Sequence, residues 1–195
     1  MSVLVDQPIW NYRDEKWSHL VSDTSYDELH RFANRVGLRR IGFQGDHYDI
    51  PQRLLSRAHA AGAIHTESRE LVRRLRGAGL RKPRGAPSWE PLVQLGANAT
   101  THDLALAISA VAEQGAVAAE LAEQVERLWS TLGGPIHRVF ALHRPGEVAV
   151  AFDTDHQIEI VSNGPAEVWT TDTANYQAVD LLLSHARAQQ PDLAD

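Results

Sequence analysis

The chain has 195 residues, of which 43% are hydrophobic and 23% are charged, a composition typical of globular proteins with one or two domains. It contains no cysteine, which excludes disulfides and thiol catalysis. No stretch approaches the ~20 apolar residues that cross a bilayer, and the first residues lack the pattern of a signal peptide. We therefore expect a cytoplasmic protein without a membrane partner.

The formal net charge of −6 is distributed unevenly along the chain. Residues 1–84 hold 15 Lys/Arg and 10 Asp/Glu, whereas residues 85–195 hold 4 Lys/Arg and 15 Asp/Glu. A basic half can attract phosphate groups, and an acidic half can cover a basic half within one chain or in a homodimer. The contrast favours two domains, 1–84 and 100–195, joined by a proline-containing linker over 85–99.

In the first half, short apolar runs alternate with helical patterns. Three runs have the pattern of buried strands: residues 3–6, 40–44 and 63–66. Ser25 and Glu28 have the spacing of a capping box, and apolar residues follow at helical spacing up to Gly37, which predicts a helix. A second helix is predicted after Pro51 and a third after the last strand. This order predicts an α/β domain with a small three-stranded parallel, Rossmann-like sheet.

The second half predicts an α+β domain. Thr100 and Asp103 form a second capping box before a helical pattern, and another helix is predicted from about Val117 to Leu132. Four later runs indicate strands of an antiparallel meander: residues 136–144, 147–153, 157–162 and 166–171. A terminal helix is predicted over residues 175–189.

Titratable side chains are concentrated directly after the second predicted strand. Asp46, His47, Tyr48 and Asp49 are consecutive, within the stretch FQGDHYDIP. Ligands of open parallel sheets bind beyond the carboxyl ends of the strands. We therefore expect this group to meet the acids and the imidazole that follow the first strand: Asp6, His19 and Asp23.

Carboxylates and imidazoles are ligands of divalent metals, and a bound metal can activate water for hydrolysis of a phosphoester or phosphoanhydride. One hypothesis is therefore a metal-assisted hydrolase that acts on a nucleotide or another phosphate-containing substrate. In this hypothesis the candidate metal ligands are Asp6, Asp23 and Asp46. The candidate catalytic residues are His19, His47, Tyr48 and Asp49.

Other interpretations stay open at this stage. The arginine-rich run after residue 68 is typical of a solvated helix face, but it can also contact phosphate through Arg73, Arg74 and Arg76. A second hypothesis is a non-catalytic module, in which the same edge of the sheet holds a small ligand or nucleic-acid phosphate, and a third hypothesis is an assembly protein. Asp49 could also be an acid attracted to a helix N-terminus, and His47 could be a structural residue.

Several separated motifs in the first half resemble the DUF4031 family of bacterial and phage proteins: VLVD, WSHLVSDT with the following ELH, FQGDHYDIP and RELVRRLRGAGLR. That family is marked by a His-Tyr-Asp motif, which here is His47-Tyr48-Asp49. The resemblance covers residues 3–82 and implies a domain of about eighty residues. Because the family is uncharacterised, it implies no particular activity. Residues 85–195 resemble no family that we recognise.

Overall fold

The computed structural model describes residues 2–12, 14–83, 88–96, 99–132, 135–155, 157–158, 166–173 and 175–184. The chain divides into two compact units, Met1–Ser88 and Trp89–Asp195. Within the described residues, no helix has both the length and the apolar character needed to cross a membrane.

The first unit is built around a mixed sheet of five strands: β1 (Val3–Val5), β2 (Trp10–Tyr12), β3 (Glu15–Ser22), β4 (Tyr48–Pro51) and β5 (Ile64–His65). Strand β3 is its centre, because it pairs antiparallel with β1, β2 and β4. Strand β1 pairs parallel with β5. The α/β character of this half is confirmed, but the sheet is mixed and is not the three-stranded parallel, Rossmann-like sheet that the sequence predicted.

Strands β1 and β2 lie along the same edge of β3. Leu20 of β3 lies between β1 and β4, and Trp17 of β3 lies between β2 and β4. Together β1 and β2 therefore form one interrupted strand, and the interruption begins at Asp6, whose N–H donates to the carbonyl oxygen of His19 (3.2 Å). An interruption of this kind changes the direction of the side chains beside it, as a β-bulge does.

In its described residues the first unit also contains three α-helices: α1 (Tyr26–Val36), α2 (Gln52–Ala60) and α3 (Ser68–Gly77). The predicted helix α1 is confirmed, but only half of the predicted capping box is present, because the Glu28 carboxylate accepts from the Ser22 hydroxyl and not from the N–H of Ser25. The Ser25 hydroxyl accepts a hydrogen bond from the N–H of Glu28 (3.1 Å), which satisfies a donor of the first turn. Gly37 ends the helix with a φ of 91°, a left-handed conformation that glycine adopts without strain.

The strand predicted over residues 40–44 is wrong. A 3₁₀ turn occupies Arg40–Gly42, and Phe43 forms only an isolated bridge with Tyr48. Gly45, with a φ of 94°, turns the chain, so the regular pairing with β3 is made by the residues that follow. The motif that the sequence placed in a loop after a strand therefore lies mostly within a strand, β4.

The two faces of this sheet are covered differently. The face that carries Leu20 packs on α1 and α2 in a large buried cluster. The opposite face carries a small cluster with α3: Leu4, Val21, Leu71 and Leu75. Because side chains alternate along a strand, Trp17 and His19 project on the same side as Val21. This less covered face, which includes Asp49 opposite His19, is the surface on which polar groups collect.

The second unit has the predicted α+β class. Its antiparallel sheet has the order β6-β7-β8-β10-β9: β6 (Glu90–Leu95), β7 (Ile136–Arg144), β8 (Glu147–Thr154), β9 (Glu167–Asp172) and β10 (Gln177–Ser184). Two helices, α4 (Thr101–Ala112) and α5 (Ala116–Leu132), contribute to a common core with the sheet. The predicted capping box of Thr100 and Asp103 is present at the start of α4.

Two predictions for this half are corrected. The segment 85–99 contains β6, which pairs with β7, so it is not only a linker. The terminal helix predicted over 175–189 is wrong where the structure describes it, because β10 is a strand there. Seven consecutive residues of β10 are buried, so its apolar residues show no two-residue alternation, and such a segment fits a buried strand as well as a helix. Residues 185–189, and most of the strand predicted at 157–162, lie outside the described residues.

Candidate metal centre

Two imidazoles and a carboxylate meet on the less covered face of the first sheet. His19 and Asp49 are directly opposite each other in the β3–β4 pairing, and His47 lies two residues before Asp49, on the same side of the extended chain. The His19 and His47 rings are 5.3 Å apart between centroids and nearly perpendicular, at 66°. One ligand-type atom from each of the three residues lies within 4.8 Å of the others.

His19 is oriented by the carboxylate of Asp6, which is only 1% exposed. The Asp6 Oδ2 atom is 2.9 Å from His19 Nδ1 and accepts a hydrogen bond from the Ser68 hydroxyl (2.8 Å). Burial raises the pKa of Asp6, but the hydrogen bonds from His19 and Ser68 outweigh burial and leave this pKa lowered. Asp6 is therefore an ionised acceptor that favours the proton on Nδ1 of His19 and leaves Nε2 as a lone-pair donor.

His47, like His19, contacts a buried carboxylate through its Nδ1 atom. Its Nδ1 is 2.6 Å from Asp46 Oδ1, and its Nε2 is 3.5 Å from Asp49 Oδ1. Asp46 is 3% exposed, and its second oxygen accepts from Arg81 Nη1 and from the N–H of Lys82, both at 2.9 Å. Burial lowers the pKa of His47, but the hydrogen bonds and charges of Asp49 and Asp46 more than reverse this, so the pKa is raised.

The three residues fit the donor set of a divalent metal. Histidines that bind metals nearly always donate the other ring N–H to a carboxylate or carbonyl group, and His19 and His47 both have this arrangement. Three protein ligands with an open fourth position are typical of catalytic zinc, and two histidines with one carboxylate also bind iron. Ligand atoms around tetrahedral zinc lie roughly 3.4 Å apart, so these side chains would close in slightly around an ion.

The structure places the predicted acids in different roles. Asp6 and Asp46 contact the imidazoles, so their position suits orienting residues better than direct ligands. Asp23 lies outside the group of His19, His47 and Asp49, directly after the last residue of β3. One of its oxygens accepts from the N–H of Ser2 (2.8 Å), and the other forms an ion pair with Arg74.

Tyr48 points to the opposite face of the sheet, because it alternates with His47 and Asp49 along the strand. It is 1% exposed, its hydroxyl is 2.9 Å from His30 Nδ1, and its ring packs on Phe43 at 5.3 Å between centroids. Its position is that of a core residue, and it does not reach the group formed by His19, His47 and Asp49.

The three arginines that were predicted to bind phosphate differ in their contacts. Arg73 pairs with Glu70 on α3, and Arg74 pairs with Asp23. Arg76 forms no ion pair with any described residue. It lines a cavity of about 620 Å³ that is strongly basic, with Arg81 and Lys82 among its other lining residues.

Sequence reasoning missed an aromatic wall beside His19, His47 and Asp49, which together form the metal-type cluster. Trp10, Tyr12 and Trp17 line a cleft of about 430 Å³ together with Gly42, Gln44 and Asp49. A signal for it was present in the sequence, since WNY at 10–12 and WSH at 17–19 both place bulky rings at the two-residue spacing of a strand. Neither segment was interpreted as a strand, so the rings were not placed on one face.

Residues 3–78 match the model of the family described as "Protein of unknown function (DUF4031)". This match lies in the first unit, as the separated motifs predicted, and the matched segment contains Asp6, His19, His47 and Asp49. The later part of the chain matches no family model, also as predicted. No curated protein and no solved structure matches the chain. The function is therefore argued from the side chains themselves.

Proposed function

We propose that this chain is a metal-assisted hydrolase of a nucleotide or another phosphate-containing substrate. The divalent metal would be held by His19, His47 and Asp49. The observation that carries the proposal is that both imidazoles bond through Nδ1 to a buried carboxylate while their ring positions converge with Asp49.

The chemistry follows from this arrangement. His19, His47 and Asp49 would hold the ion, which would supply the positive charge that polarises a phosphoryl oxygen and activates water. His19 and His47 would supply nitrogen ligands, and the carboxylates of Asp6 and Asp46 would fix the orientation of their rings. Because the chain offers three ligands, coordination positions remain for water and for a substrate oxygen.

The basic cavity supports phosphate as the group that is recognised. Arg76, Arg81 and Lys82 line it, and Arg81 also bonds Asp46, the residue that contacts His47. Guanidinium groups bind phosphate through paired N–H donors. The cavity is linked to the metal ligands through Arg81 and Asp46, so its positive charge favours a phosphate-containing substrate at the metal centre.

The first test measures metal binding directly. The full chain is stripped with a chelator and titrated by calorimetry with zinc and with manganese. We expect one ion per chain in the unchanged protein and loss of binding in His47→Ala and Asp49→Ala. His102→Ala is the matched control, because His102 is an exposed residue of α4. Equal affinity in His47→Ala and in the unchanged protein would refute the site.

The second test measures turnover. We expect metal-dependent hydrolysis of p-nitrophenyl phosphate that disappears in His47→Ala and survives in His102→Ala. The basic cavity also favours a second candidate, a non-catalytic module that binds a small phosphate ligand or nucleic-acid phosphate. Metal and phosphate binding without turnover of any phosphoester would favour that candidate over the hydrolase.

A further inference from the structure

The aromatic cleft beside the candidate metal centre has a composition unlike that of the basic cavity. Of the described residues that line it, Asp49 alone is charged. Its wall is a group of neighbouring rings: Trp10 stacks on Trp17 at 5.8 Å with an interplanar angle of 25°, and Tyr12 meets Trp17 edge-on at 6.1 Å. A cleft of this kind suits an uncharged planar ring better than a phosphate group.

The cleft and the metal-type cluster share a boundary. Asp49 belongs to both groups, and the Trp10 ring lies 6.1 Å from the His19 ring between centroids. The connection is built by strand pairing, because Trp10 faces Trp17 across β2 and β3, and His19 follows Trp17 on the same side of β3. A ligand that fills the cleft therefore reaches the open side of the metal-type cluster.

The two indoles are held differently. Trp17 donates its Nε1–H to the carbonyl oxygen of Tyr12 (3.0 Å), which fixes the ring. The Nε1 atom of Trp10 is buried and has no acceptor in the part of the chain that the structure describes. An unpaired buried donor is unfavourable, so Trp10 can reorient against a ligand without breaking a hydrogen bond.

We propose that this cleft binds the base of a free nucleotide whose phosphate lies at the metal centre. The position of the phosphate rests on the proposed hydrolase function, whereas binding of the base does not. Stacking on indole rings accepts any base. Gln44 is exposed at the rim of the cleft, and its side-chain amide offers both a donor and an acceptor to a base edge.

The experiment separates the base from the phosphate. Tryptophan fluorescence and calorimetry follow the binding of adenosine, ribose 5-phosphate and adenosine 5′-monophosphate to the full chain, with chelator and with zinc. We expect adenosine to bind the metal-free protein and the monophosphate to bind more tightly when zinc is present. Trp10→Ala should weaken adenosine and the monophosphate by roughly 10- to 100-fold and leave ribose 5-phosphate and zinc unchanged.

Controls keep the proposal testable. Trp169→Ala, in β9 of the second unit, should not change the binding of adenosine. If Trp10→Ala does not fold, Trp10→Phe keeps a ring and should weaken adenosine less than tenfold, while Gln44→Ala removes the rim amide at an exposed position.

The possible failures differ from one another. If zinc does not bind but adenosine binds in a Trp10-dependent way, the hydrolase proposal fails and the base site stands. If zinc binds but adenosine does not, or if Trp10→Ala weakens ribose 5-phosphate equally, the base site is wrong. Tighter binding of a single-stranded tetranucleotide than of the monophosphate would overturn the assignment to a free nucleotide.

Discussion

His19 in the first unit and His137 in the second are equally exposed histidines, and each contacts an aspartate. The His19 side chain is 38% exposed and its partner Asp6 is 1% exposed. The His137 side chain is 39% exposed, but its partner Asp155 is 50% exposed. The exposure of the carboxylate therefore differs far more between the two pairs than the exposure of the imidazole does.

This difference decides what each histidine can do. Asp6 is fixed by the Ser68 hydroxyl and by the N–H of His19, so it holds the imidazole in one orientation. An exposed pair such as His137 and Asp155 gains little, in the range of about 0–1 kcal/mol, and sets no orientation. Within the described residues, the His19 group is also the one place where three metal-type ligands converge.

The largest expected effect tests this contrast with two matched substitutions. His19→Ala removes a proposed ligand and should abolish zinc binding, whereas His137→Ala should leave the affinity unchanged. Calorimetric titration of both variants and the unchanged chain measures the difference. If both substitutions weaken zinc binding equally, the burial of the aspartate is not what distinguishes the pairs.

A second contrast concerns buried carboxylates. Asp153 of the second unit is fully buried, as Asp6 nearly is, but it pairs with Arg138, which is 40% exposed. Removing one partner of a buried ion pair costs about 3–5 kcal/mol. Because Arg138 can reach water, we expect Asp153→Ala to lower the free energy of unfolding by about 2–3 kcal/mol.

Urea denaturation, compared with Asp155→Ala as the exposed control, measures this loss of stability. Zinc affinity of Asp153→Ala should equal that of the unchanged chain, since the proposed ligands all belong to the first unit. A loss of zinc binding without a loss of stability would reverse the roles that we assign to Asp6 and Asp153.

A smaller effect is expected when the ligand is kept and only its orientation is disturbed. Asp6→Asn preserves the size of the side chain but removes the charge that favours the proton on His19 Nδ1. Loss of such an orienting group typically reduces metal affinity or activity 10- to 100-fold. Asp155→Asn, in the exposed pair, should change nothing, and an unchanged affinity in Asp6→Asn would contradict the orienting role.

The fold could be predicted where local chemistry decides it. Helix α1 was predicted from Ser25, Glu28 and an apolar stripe because capping and helical packing are both read from neighbouring residues. Strand β3 was missed because one of its faces carries Trp17 and His19, residues of the candidate site. Its side chains therefore do not alternate between hydrophobic and polar along the sequence. Strand β10 was predicted as a helix because Val179, Leu182 and Leu183 also fit helical spacing, and a strand buried on both faces shows no two-residue alternation.

The site could be predicted in part. His47 and Asp49 were singled out by their proximity in sequence, and the expected meeting with Asp6 and His19 is found. The reason given for it was wrong, because the meeting occurs on a sheet face and not at the carboxyl ends of parallel strands. The separation of Tyr48 from its neighbours follows from strand alternation, which could not be applied until the strand was placed at residues 48–51.

The smallest effect concerns the pH dependence of the metal-free protein. Burial lowers the pKa of His47, but Asp49 and Asp46 raise it by more, so in the folded chain it lies above the ordinary value of 6.5. A raised pKa means that the proton is bound more tightly in the folded than in the unfolded chain. The resulting stabilisation is fully present below pH 6.5 and is lost as the pH rises through the raised pKa.

With chelator present, the unchanged chain should have a higher free energy of unfolding than His47→Gln at a pH of about 6. This difference should shrink as the pH rises to about 9. Urea denaturation at both values measures the change. Zinc should reverse the trend, because the ion binds only the deprotonated imidazole and its stabilising effect rises with pH over the same interval. An advantage that stays constant with pH in chelator would show that Asp46 and Asp49 do not act on His47 as a charged pair, and that the orientation of this ring has another cause.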